Sequence, residues 1–118
     1  MRPERHASRR GTAARSLDVC VIGAGLAGLV TIKELLDEGH RVRCFERETR
    51  EGGNFNHPAG AAYDTMYLTT TQYFTAFSSF PPPLNQKPRH WSRQEYVDYL
   101  HALLSKLTGN RQGHRVIS

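Results

Sequence analysis

A glycine-rich turn near the start of the chain constrains its fold more than any other feature. The nearly continuous apolar run at residues 17–22 predicts a parallel strand buried on both faces. Gly23, Gly25 and Gly28 follow it in the spacing G-x-G-x-x-G. Residues 26–38 carry apolar side chains at helical spacing, which predicts a helix directly after the turn. Gly23 lets the chain leave the strand sharply, Gly25 lets a phosphate approach the main chain, and Gly28 allows close helix packing. Strand, turn and helix together predict a dinucleotide-binding site.

A second strand and an acidic residue follow the helix. Gly39 suits the end of a helix, and residues 41–45 alternate as a strand does. Glu46 ends that strand, 18 residues after Gly28. A carboxylate there accepts hydrogen bonds from an adenosine ribose and would repel a 2′-phosphate, which favours FAD or NAD over NADP. The residues predicted to lie at the pyrophosphate are Gly23, Ala24, Gly25, Leu26, Ala27 and Gly28.

Further sequence blocks narrow the choice of nucleotide. Residues 51–55 read E-G-G-N-F, and residues 67–81 read Y-L-T-T-T-Q-Y-F-T-A-F-S-S-F-P. Together with V-C-V-I-G-A-G-L-A-G-L at 19–29 and C-F-E-R at 44–47, these blocks resemble the flavin-containing monooxygenases. The likeness covers about residues 17–107, and F-S-x-F-P is its most specific block. It implies an α/β, Rossmann-like FAD-binding fold that is incomplete, with a βαβ unit, an aromatic loop and an amphipathic helix.

The resemblance also implies roles for individual residues near the flavin. Asn54 and Phe55 fall where the family has a G-G-x-W contact with the flavin nucleotide. Thr69 and Thr70 fall near a flavin-facing T-N pair, but this segment contains no asparagine. A threonine hydroxyl cannot supply the paired donor and acceptor of an amide. The segment therefore departs from the family pattern at the flavin, and no catalytic residue is predicted.

The activity that the resemblance implies requires more sequence than these 118 residues contain. The family uses NADPH to reduce the flavin and transfers oxygen to a nitrogen or sulfur nucleophile or to a ketone. NADPH occupies a second glycine-rich turn, and no second G-x-G-x-x-G occurs here. We therefore expect the N-terminal FAD-binding portion of a monooxygenase, inactive alone, with exposed apolar surface that the remaining part of the enzyme would cover. Two alternatives stay open: an NAD-binding dehydrogenase module, and a non-enzymatic remnant or interaction protein.

Charge separates the two ends of the chain from its middle. Residues 1–16 hold five arginines against Glu4, residues 108–118 add two, and residues 17–107 have a net charge of −1. We expect a basic disordered tail, a partial FAD-binding domain and a C-terminal tail over these ranges. Because the basic charge lies at the ends, no nucleic-acid-binding face is predicted. The sequence contains no run of ~20 consecutive apolar residues, so no membrane span is predicted. A cytoplasmic location fits, with mitochondrial targeting by the arginine-rich start as the alternative.

The later segments are interpreted mainly as structure. Ser92 to Glu95 forms a capping box that begins a helix, and Gly109 is expected to end it. The apolar stripe predicted to pack this helix against the sheet is Tyr96, Leu100, Leu103, Leu104 and Leu107. Aromatic residues between Tyr63 and Phe80 either surround a flavin ring or pack a loop onto the sheet. A third strand is possible at residues 115–117, and the scattered histidines do not predict a metal site.

Overall fold

The computed structural model describes residues 15–56, 60–109 and 116–117. In chain order the elements are β1 (Asp18–Ile22), α1 (Leu26–Asp37), β2 (Arg41–Phe45), a short 3-10 helix (Gly53–Phe55), β3 (Tyr67–Thr71), α2 (Gln72–Thr75), β4 (His90–Ser92), α3 (Arg93–Gly109) and β5 (Val116–Ile117). A three-stranded sheet has the order β1-β2-β5, and β3 and β4 form a separate two-stranded sheet. The α/β class predicted from the sequence is confirmed.

The first three elements form the predicted βαβ unit. β1 and β2 are parallel, with Asp18 opposite Arg41 and Ile22 opposite Phe45. Helix α1 ends at the predicted place, where Gly39 has a φ of +87°. Its buried residues pack with the inward side chains of both strands in one core: Val21, Leu29, Ile32, Leu36, Val42 and Cys44.

The opposite face of this sheet is open. A parallel strand buried on both faces was expected at residues 17–22, and this expectation is wrong for the described part of the chain. Ile22 is 86% exposed and Phe45 is 41% exposed, although the two residues lie side by side. Alternation along each strand sends one set of side chains to α1 and the other to the uncovered face. The predicted exposed apolar surface is therefore present.

The C-terminal elements match the sequence expectations. Helix α3 ends at Gly109, as predicted, and β5 pairs in parallel with β2, with Val116 opposite Cys44. The possible third strand at residues 115–117 is therefore present at Val116 and Ile117, while Arg115 lies outside the described residues. Most of the predicted N-terminal tail, residues 1–14, also lies outside them.

The segment interpreted as an aromatic loop contains regular structure. β3 pairs antiparallel with β4, and α2 follows β3 directly. The side chain of Gln72 is fully buried between them. Its amide donates to the carbonyl of Lys87 at 2.9 Å and accepts from the N–H of Arg89 at 2.7 Å. This pairing joins residues far apart in the sequence, so local pattern did not indicate it.

Helix α3 begins with the predicted capping box. The N–H of Glu95 donates to Ser92 Oγ at 3.2 Å, and the N–H of Ser92 donates to Glu95 Oε2 at 3.3 Å. The predicted apolar stripe packs against the core, joined by Val97, which the pattern did not include. Burial raises the pKa of Tyr96 to about 12, so its hydroxyl stays neutral at physiological pH.

The aromatic residues of the 63–80 segment divide between two environments. Phe77 and Phe80 are partly buried against Tyr99 of α3, whose hydroxyl donates to the carbonyl of Phe80 at 2.8 Å. Tyr63, Tyr67 and Phe74 are exposed. Packing therefore accounts for the aromatic residues at the end of the segment and not for those at its beginning.

No helix in the described ranges is long and apolar enough to cross a membrane.

Candidate dinucleotide-binding site

The first glycine turn (residues 23–28) connects β1 to α1. Gly23 has a φ of +96°, a backbone conformation that side-chain-bearing residues rarely adopt. Its N–H donates to the carbonyl of Phe45 at 2.8 Å, which extends the pairing of the two strands. A Cβ on Gly28 would lie 1.9 Å from the carbonyl oxygen of Gly23. The start of α1 therefore packs directly on the turn, as the spacing of the glycines predicts.

The start of helix α1 is suited to an anion. Gly25 is the N-cap residue and provides no side-chain hydrogen bond, and the first turn holds no acidic residue. The first backbone N–H groups of a helix have no partner within the helix, and the helix dipole places partial positive charge there. A pyrophosphate is the kind of group that such an end binds. The residues present therefore fit this part of a dinucleotide.

Glu46 lies directly beside the first glycine turn. The residue is 8% exposed, and its Oε2 accepts from the N–H of Ala24 at 2.6 Å. Oε1 accepts from the N–H of Glu48 at 2.9 Å. Burial acts to raise the pKa of Glu46, but backbone hydrogen bonds from Glu48, Ala24 and Arg47 outweigh it and lower the pKa. The carboxylate is therefore charged at neutral pH, as an acceptor for ribose hydroxyls must be.

A second glycine turn (residues 51–56) contacts the first. The N–H of Gly52 donates to the carbonyl of Ala24 at 2.9 Å. A Cβ built on Gly25 would lie 3.5 Å from Gly53 Cα, so the two backbones are in close contact. Ala24 is fully buried, and its peptide groups bind Glu46 on one side and Gly52 on the other. The sequence placed both turns near the nucleotide but did not reveal this bond between them.

The other predicted site residues lie in two places. Asn54 and Phe55 are in the second glycine turn, where Asn54 is exposed and Phe55 packs edge-on to Tyr96 at 4.8 Å. Thr69 and Thr70 are exposed on β3, in the other sheet. The hydroxyl of Thr70 lies 2.6 Å from that of Thr75. The structure therefore brings together Glu46 and the two glycine turns, and it places the threonines in a separate element.

Two residues of α3 that the sequence did not single out also contact the second glycine turn. Arg93 Nη1 donates to the carbonyl of Phe55 at 2.8 Å, and His101 Nδ1 contacts Glu51 Oε1. These pairs are 38 and 50 residues apart in the chain, so no local motif could have indicated them.

Across residues 15–56 and 60–109, no group of three or more His, Cys, Asp or Glu residues is placed to hold a metal ion.

Comparison with known proteins identifies the family. Residues 21–82 match the family model described as NAD(P)-binding Rossmann-like domain. The chain belongs to this family. The Rossmann-like domain is 45% identical over 87 residues to the 4-hydroxybenzoate brominase (decarboxylating) of Marinomonas mediterranea, covering 74% of this chain and 16% of that protein. It is 43% identical over 74 residues to a flavin-containing monooxygenase of Arabidopsis thaliana, covering 63% of this chain and 16% of that protein.

Solved structures agree with the sequence relatives. The S-allyl-L-cysteine S-oxygenase of Allium sativum aligns with a TM-score of 0.67 and 27% identity, over 76% of this chain and 25% of that one. A flavin-containing monooxygenase of Stenotrophomonas maltophilia aligns with a TM-score of 0.65 and 26% identity, over 79% of this chain and 27% of that one. The predicted relationship to the flavin-containing monooxygenases is confirmed. The Rossmann-like domain spans only a small part of each relative.

Proposed function

We propose that this Rossmann-like domain binds the ADP portion of FAD as part of a flavin-dependent monooxygenase. Residues 23–28 hold the pyrophosphate at the start of α1, and Glu46 binds the adenosine ribose. Asn54 and Phe55 lie beside the flavin nucleotide, and Thr69 and Thr70 are assigned to the flavin side only by resemblance. The observation that carries the proposal is the position of a buried, charged carboxylate beside a helix start that has no anion of its own.

The proposed reaction is oxygenation of a nitrogen or sulfur nucleophile or of a ketone, with NADPH as the reductant. Bound FAD supplies the redox chemistry through its flavin ring, and the protein supplies binding and orientation. The first glycine turn would bind the pyrophosphate through backbone N–H groups, and Glu46 would orient the ribose. We assign no acid, base or nucleophile in this chain to the reaction. The names of the relatives, a brominase and an S-oxygenase among them, describe different substrates, so we propose no single one.

Ligand binding to the purified chain tests the proposal. Thermal unfolding is measured with FAD, with NAD, and with FMN, which lacks the AMP half of FAD and therefore has neither the adenosine ribose nor the pyrophosphate. We expect stabilisation by FAD of ~2.7 kcal/mol at one hundred times the dissociation constant, competition by free ADP, and no effect of FMN. Equal stabilisation by FMN would contradict the ADP assignment. Stabilisation by NAD alone would favour a dehydrogenase module, and no effect of any nucleotide would favour a non-enzymatic role.

A charge reversal tests the ribose contact separately. Glu46→Arg removes the carboxylate at the first glycine turn, and we expect FAD affinity to fall by about tenfold or more, since a hydrogen bond to a charged group is lost. Glu38→Arg makes the same change of charge at the opposite end of α1, where the residue is exposed. This control is expected to bind FAD as the wild type does. Equal FAD affinity in the Glu46 variant would remove the ribose assignment.

A further inference from the structure

Helix α3 holds the second glycine turn at both ends. At the start of the turn, His101 Nδ1 contacts the carboxylate of Glu51. A carboxylate only accepts hydrogen bonds, so Nδ1 carries the proton in this contact. At the other end, Arg93 Nη1 donates to the carbonyl of Phe55 at 2.8 Å. The glycine pair lies between these two anchor points, so its position depends on α3.

Both anchoring side chains are removed from solvent. The side chain of Arg93 is 9% exposed and pairs with Asp64 at 3.2 Å, while those of His101 and Glu51 are 19% and 17% exposed. Within the described part of the chain, Arg93 Nε and His101 Nε2 are buried without a hydrogen-bond partner. Leaving such atoms unpaired is unfavourable, and an apolar residue would avoid it. The two polar side chains therefore need an explanation beyond packing.

The glycine pair needs outside support because glycine has little conformational preference of its own. Gly52 and Gly53 have φ values of +126° and +55°. In the observed position of the turn, the N–H of Gly52 reaches the carbonyl of Ala24 and Gly53 touches Gly25. A flexible pair fixed at neither end would leave this position readily.

We infer that Arg93 and His101 are positioning residues for the dinucleotide site, which hold the second glycine turn against the first. The inference rests on the proposed FAD site, and it assigns to neither residue a contact with the nucleotide. Their effect passes through Phe55 and Glu51 to the glycine pair. From there it reaches Ala24, whose carbonyl accepts from Gly52 and whose N–H donates to Glu46.

The test compares two substitutions of one residue in the full chain. His101→Leu removes the donor to Glu51, whereas His101→Asn retains an N–H donor at the position of Nδ1. We expect FAD affinity to fall by about tenfold in the leucine variant and by less than about threefold in the asparagine variant. Because the leucine variant leaves the Glu51 carboxylate without this partner, its unfolding temperature without FAD is measured as well, and FAD affinity is compared well below that temperature. Asp98→Asn on the exposed side of α3 is the control and should bind FAD normally.

A second measurement does not depend on FAD. Amide hydrogen exchange at Gly52, Phe55 and Asn56, which are all hydrogen-bonded, is followed in the ligand-free protein. We expect exchange about tenfold faster in His101→Leu and in Arg93→Gln than in the wild type. Unchanged exchange would overturn the positioning role, and so would faster exchange with unchanged FAD affinity. If the wild type does not bind FAD, the proposed function fails, and the exchange rates alone decide whether α3 positions the turn.

Discussion

The two glycine turns of this domain are in contact but are held in place differently. In the first turn, Gly23 has a positive φ and Gly28 has no room for a side chain. In the second turn, Gly52 and Gly53 also have positive φ values, but side chains from α3 contact the turn at each end as well. The first turn is therefore a local structure, set by residues next to one another. The second also makes tertiary contacts, because α3 contributes a hydrogen bond at Phe55 and a contact at Glu51.

This difference predicts different responses to mutation. A change in the first turn alters the contact between α1 and β1, which contributes directly to the core. A change in the second turn alters a segment in which only Gly52 is buried, so it contributes less to the core. We therefore expect mutations in the first turn to affect stability and mutations in the second to affect ligand binding more than stability.

The largest effect is expected from Gly28→Ala. The new Cβ would lie 1.9 Å from the carbonyl oxygen of Gly23, which is backbone and cannot rotate away. We expect a loss of ~3 kcal/mol or more in the free energy of unfolding, at the upper end for overpacking, measured by urea denaturation. Gly109→Ala is the matched control, since it is also a helical glycine but has open space around it. Equal stability of the two variants would show that α1 does not pack on the turn as described.

The same contrast explains how much of the site the sequence revealed. The spacing of Gly23, Gly25 and Gly28 predicted the first turn, and the structure shows a local need for glycine at Gly23, which has a positive φ, and at Gly28, which has no room for a Cβ. Glu46 was also found, since its place at the end of β2 follows from the length of a βαβ unit. Arg93 and His101 were not found, because their partners lie 38 and 50 residues away. Tertiary contacts of this kind leave no periodic signal in a single sequence.

Strands β3 and β4 were missed for a related reason. The run at residues 67–71 is polar and half exposed, so it has no apolar alternation, and it pairs with His90–Ser92 across α2 and a proline-rich passage. The buried amide of Gln72 stabilises this pairing through two backbone groups. A glutamine in sequence predicts a surface position more often than such a role. Only the folded chain shows that it is part of the core.

An intermediate loss of stability is expected from Glu46→Gln, and this loss should depend on pH. The lowered pKa of Glu46 in the folded chain means that its stabilising contribution is present above the pKa of the unfolded chain, ~4.3. That contribution is lost as pH falls through the folded pKa. We expect the variant to be less stable by ~1–2 kcal/mol at pH 7. The difference should shrink as the pH is lowered below 5, and thermal unfolding from pH 7 to pH 3 measures it. A difference that is constant with pH would contradict the bonds from Ala24 and Glu48.

The smallest effect on stability is expected from Gly53→Ala. This variant also tests most directly whether the two glycine turns differ in how they are held. Its φ of +55° is strained for alanine, and the new Cβ would lie 3.0 Å from Gly25 Cα, so the second glycine turn must move by a few tenths of an ångström. Gly39→Ala imposes a positive φ of +87° in open space, away from both turns. We expect both variants to lose ~1 kcal/mol of stability, but only Gly53→Ala to bind FAD more weakly. If Gly53→Ala instead destabilises the chain as much as Gly28→Ala does, the second turn is part of the core and does not depend on α3 for its position.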